Sequence, residues 1–157
     1  MTTINSLDHT IIRDGIRARK GIGLFTSAQR PNEVIKSLQG KPGFRDPRGS
    51  FSQSQVTVGG AYLPNGYDAG SDKPITFPGV ETVIRDGHLF QLAAVNLVDA
   101  PETDDDFVLI GLFTTKADAL KVAALVQDQI DPKRYRLEVF DSYTDRIGFS
   151  TGFGFEG

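Results

Sequence analysis

The sequence predicts an α+β fold: a ferredoxin-like sandwich of two β-α-β units, with an inserted β-hairpin and extended arms. Three observations predict it. The string IGLFT occurs twice, at Ile22–Thr26 and Ile110–Thr114. Each copy runs through a polar turn into a helical pattern. Each helix is followed by Asp-Pro and a basic residue, Asp46-Pro47-Arg48 and Asp131-Pro132-Lys133, and then by strand-like sequence. The chain reads as a single domain, 1–157. Its parts are an N-terminal arm (1–20), a first β-α-β unit (21–58), a Gly/Pro-rich loop (59–79), a β-hairpin (80–98), a second β-α-β unit (107–141) and a Phe/Gly tail (147–157).

Taken in order, the arm MTTINSLDHTIIRDGIRARK has no apolar run of signal-peptide character, which points to a protein made and kept in a cell interior. Within it, RDGIRARK would place Arg13, Arg17 and Lys20 on one face if helical. In the first unit, Pro31 suits a first helical turn and Gly40 the position past the end. SQVTV, near Val56–Val58, is the returning strand.

The loop GGAYLPNGYDAGSDKPITFPG is long and ordered by expectation, with Asn65-Gly66 as a turn signal. Asp86-Gly87 lies between two β-rich runs, so strands are expected over Val80–Arg85 and His88–Val98. DAPETDDDF carries five acids and reads as a solvated loop. In the second unit Thr115 is the expected N-cap, with Asp118 three residues on. Leu120, Val122, Ala123, Val126 and Ile130 form the expected apolar face, and Pro132 ends the helix. YRLEVF is the last strand. In the tail, Phe149, Phe153 and Phe155 share one parity, so an extended chain shows their rings on one face. They must then pack on the chain's own core or on another subunit.

FVLIGLFTTKADALKVAALV also resembles the sporulation-related repeat (SPOR) domain, which binds peptidoglycan. That likeness covers about a fifth of the chain, and its two copies stand too far apart for a compact pair, so the family is not adopted.

Composition narrows the chemistry. With 39% apolar and 24% charged residues, the chain has the make-up of a folded domain. It has no Cys, which excludes disulfides, thiolate metal sites and a thiol nucleophile. Of its two His, His9 lies near the N-terminus and His88 follows a turn, and neither sits in a metal-ligand spacing. Phosphate-loop, dinucleotide and nucleophile-elbow motifs are absent. No catalytic residue, cofactor or metal is assigned, and no run has the length of a membrane span.

Charge is uneven. Residues 1–50 hold nine basic and four acidic side chains, a net of +5; the remainder hold eight and sixteen, a net of −8. Basic Lys41, Arg45 and Arg48 interleave with Phe44 and Phe51, the combination that single-stranded nucleic acid requires. The interaction candidates are therefore Arg13, Arg17, Lys20, Lys41, Phe44, Arg45, Arg48, Phe149, Phe153 and Phe155. Appendages on a compact body, with a basic part and an acidic part, suit a subunit that joins copies of itself or other assembly proteins. The expected function is a non-enzymatic structural or assembly protein, such as a capsid or tail accessory subunit of a bacteriophage virion. The alternative is a regulatory module that contacts nucleic acid or a host protein through residues 13–48.

Overall fold

A computed structural model describes residues 2–65, 68–69, 73–97 and 107–147. It is a small α+β fold, mostly β, with two three-stranded antiparallel sheets and two helices. The described residues divide into two compact units, one built on 4–55 with 144–147, the other on 2–3, 56–65, 68–69, 73–97 and 107–143.

The first unit holds β1 (Thr3–Arg13), β2 (Ile16–Phe25), α1 (Arg30–Leu38) and β3 (Gly49–Thr57), in sheet order β2-β1-β3. Residues 1–20 are therefore not an arm. They form β1 and half of β2, joined at Asp14-Gly15, where φ is 53° and 78°. Positive φ at both central residues makes the tight turn whose twist matches the strands it joins. Leu7, His9 and Ile11 alternate inward along β1 and are fully or almost fully buried. His9, expected at a loose terminus, packs between Phe44 and Phe51 at ring distances of 5.0 and 4.9 Å. Pro31 sits in the first turn of α1, where its missing N–H is no loss. Val34 and Leu38 close over Leu7, Ile22, Phe25 and Phe44. Each such side chain contributes on the order of 2 kcal/mol by leaving water.

The second unit opens with β4 (Pro64–Asn65) and β5 (Asp68–Ala69), a pair bracketing the Asn65-Gly66 turn signal. It continues with β6 (His88–Asn96), β7 (Phe107–Phe113), α2 (Lys116–Val126), a 3₁₀ turn (Gln127–Gln129) and β8 (Tyr135–Tyr143). Both β7 and β8 pair antiparallel with β6, so they run parallel to each other with β6 between them. Thr115 caps α2 by accepting the Asp118 N–H at 3.1 Å. The core joins Ala119, Val122, Val126 and Ile130 to Leu92, Ala94, Ile110 and Phe113.

Two expectations fail in this unit. Asp86-Gly87 does turn the chain, with Arg85 bridging His88, but Val80–Ile84 form no strand; the partners of β6 are β7 and β8. Leu120 is half-exposed, because the helix presents Ala119 inward in its place.

The repeat is larger than the two β-α-β units expected. Each copy is β-β-α-β, with the extra first strand central in its sheet. Pro31, Val34 and Leu38 are buried in α1, and Ala119, Val122 and Val126 in α2. Each of these pairs is 88 positions apart, as are Ile22 and Ile110. The Asp-Pro turns share one hydrogen bond. Asp46 Oδ1 accepts the Arg48 N–H and Asp131 Oδ1 the Lys133 N–H, both at 2.9 Å.

Candidate assembly interface

Two three-stranded sheets have four edges, and the chain treats them differently. An open edge offers a row of backbone donors and acceptors, which proteins cover, charge or use.

Two edges are met by the chain's own segments at the repeat. At the end of β2, the N–H of Asp145 donates to the Leu24 carbonyl at 2.7 Å. Along β7, the Gly59 N–H donates to the Leu112 carbonyl at 2.8 Å and the Tyr62 N–H to the Ile110 carbonyl at 2.7 Å. Leu24 and Leu112 are the same position of IGLFT. Asp145 follows β8 and Gly59 follows β3, and both are left-handed, at φ 61° and 87°. Residues 144–147, which leave β8, thus belong to the compact unit that holds β2. Residues 56–62, at the end of β3 and beyond it, belong to the unit that holds β7. The repeat glycine makes room for the covering segment. A Cβ on Gly23 would meet the Arg146 carbonyl at 2.6 Å, and one on Gly111 would meet the Gly60 carbonyl.

The third edge, β8, is charged. Arg136, Glu138 and Asp141 punctuate Tyr135–Tyr143, and Arg136 Nε donates to Glu138 at 2.7 Å. The fourth edge, β3, is neither charged nor, along Ser52–Gln55, covered by any described residue. Its nine residues, GSFSQSQVT, contain no ionisable side chain, and Ser52, Gln53, Ser54 and Gln55 are all exposed. The Ile12 N–H reaches the Arg48 carbonyl at one end of the ladder, and the Val58 N–H reaches the Thr2 carbonyl at the other. Even-numbered residues of β3 therefore face β1 with their backbone groups. Phe51, Gln53 and Gln55 turn theirs outward.

The residues singled out in the sequence do not converge. Arg13 ends β1, and Arg17 and Lys20 lie on β2 at odd separation, so they point to opposite faces and not to one helical stripe. Lys41 and Arg45 are exposed. Arg48 is ion-paired with Asp46; its guanidinium and its N–H hold the Asp46 carboxyl down to about 2. Phe44 is only 4% exposed and packs with the first unit's core, so it offers no face to a base or a partner. Phe149, Phe153 and Phe155, and the acidic loop at 99–106, lie outside the described residues.

Elsewhere, His88 is more than a turn residue. It stacks on Tyr143 at 4.7 Å, touches Phe90, and has Nε2 3.3 Å from Asp141 Oδ1. Among the described residues no three His, Asp or Glu converge as a metal site. No described helix is long and apolar enough to cross a membrane. Sequence reasoning does not find the polar β3 edge, because an exposed edge strand has no apolar alternation to betray it. The one signal it carries is the uncharged Ser/Gln run itself.

No protein-family model, curated protein or solved structure matches the chain.

Proposed function

We propose that the protein is a non-enzymatic assembly subunit that joins other chains by strand addition at β3. The observation that carries this reading is the contrast among the four edges. β2 and β7 are met by the chain's own segments at IGLFT, β2 and β8 carry charged side chains, and β3 alone is long, uncharged and exposed along Ser52–Gln55. Main-chain hydrogen bonds supply affinity in strand addition and alternate side chains supply selectivity. A virion component of a bacteriophage, such as a capsid or tail accessory subunit, is the setting we propose for it. The split β-α-β connection in each copy also supports a ferredoxin-like reading of the units.

Solution mass by light scattering, across protein concentration, tests the reading. An oligomer above the 17.1 kDa monomer is expected. A strict monomer at every concentration overturns it.

A further inference from the structure

We infer that the occupant of the β3 edge is β3 of a second copy, paired antiparallel across a twofold axis; this rests on the assembly reading above. An antiparallel pairing of a strand with itself sets residues of the same run opposite one another. For a charged strand, the register then decides whether like or unlike charges meet. In β8 a register centred on Arg136, Glu138 or Asp141 sets that charge against its own copy. In Gly49–Thr57 it brings only Ser, Gln, Phe, Gly, Val and Thr together, so no like-charge contact opposes it. Phe51, Gln53 and Gln55 share one face of the sheet, where the Gln53 amide donates to Asn32 Oδ1 of α1 at 2.8 Å. Centring the pair on Gln53 sets that residue beside its copy and Phe51 beside Gln55. Amide and hydroxyl side chains then satisfy one another across the junction. A head-to-tail alternative would use the charged β8 edge, which is built against pairing.

Because the chain has no Cys, a single introduced thiol reports its own neighbours. Gln53→Cys and Glu138→Cys are each oxidised mildly and run without reductant. The twofold brings position 53 of the two copies within disulfide reach, and leaves the β8 thiols apart. The expected result is a covalent dimer from Gln53→Cys and monomer from Glu138→Cys. Gln53→Pro removes one outward N–H without touching the ladder to β1, and Gln53→Lys adds a charge while leaving the backbone intact. Each should raise the dimer dissociation constant about tenfold or more. Wild type that is oligomeric, with no Gln53→Cys cross-link and no weakening by either substitution, overturns the β3 twofold and leaves the assembly reading standing. Wild type that is monomeric throughout overturns both.

Discussion

Asp145 holds Thr26 with both carboxylate oxygens: Oδ1 accepts the Thr26 N–H at 3.1 Å and Oδ2 the Thr26 hydroxyl at 2.9 Å. It does so from a left-handed backbone, φ 61°. The matching place after β3 is Gly59, which meets the left-handed demand with no side chain. One copy of the repeat therefore solves the turn by conformation, the other by a carboxylate clamp. Asp145→Ala loses both bonds and keeps the strain, so it should destabilise the protein by about 1–3 kcal/mol. Asp145→Gly should cost less, because it removes the strain along with the clamp. Urea denaturation of the two variants measures the difference.

Gly23 and Gly111 are predicted to behave as a pair. A methyl at either meets a backbone carbonyl and the ring of the Phe two residues on. A backbone carbonyl cannot swing aside like a flexible side chain, so the covering segment must shift. Gly23→Ala and Gly111→Ala should each cost about 1–3 kcal/mol. Thermal melts that show one variant neutral and the other damaging would break the equivalence of the two copies.

Acid should act through Asp46. The Arg48 side chain first, then the Arg48 N–H, lower its carboxyl to about 2 from an ordinary 3.8. A depressed folded value means the stabilisation is complete above about pH 4 and is lost as pH falls through about 2. Asp46→Asn keeps an acceptor for the Arg48 N–H but loses the charge. Wild type should therefore melt higher than Asp46→Asn near neutral pH, and the gap should close toward pH 2. A gap independent of pH would contradict the ion pair's role.

Phe44 separates core from surface in the basic stretch. Phe44→Ala opens a cavity beside His9, Val34 and Leu38 and should cost about 3–5 kcal/mol. Lys41→Glu lies on the surface and should stay within about 0.5 kcal/mol. Equal small effects from both would return Phe44 to the surface, where the basic residues around it in the sequence suggest it lies.

Much of this fold is legible in the sequence, and what is not shares a cause. The repeated IGLFT, the twin Asp-Pro turns, Pro31 and the Thr115 cap are local signals with local physics, and each lies where expected. Asp86-Gly87 reads as a turn. The same dipeptide at Asp14-Gly15 does not, because the charges spaced at Arg13, Arg17 and Lys20 suggest a helix. Phe44 looks like a stacking residue because its neighbours are basic. Only the tertiary fold shows that Gly43 and the Asp46 turn carry it inward. The β3 edge has no apolar pattern, since Ser52–Gln55 meet solvent on both faces of the sheet. Its meaning lies in the comparison with β2, β7 and β8, which no stretch of sequence holds by itself.

Whether β3 is the joining edge is decided by the light-scattering mass of wild type beside Gln53→Pro, at matched concentration. Strand addition at β3 predicts a dimer for wild type and a folded monomer, with unchanged circular dichroism, for the variant. A variant that remains fully dimeric would contradict it.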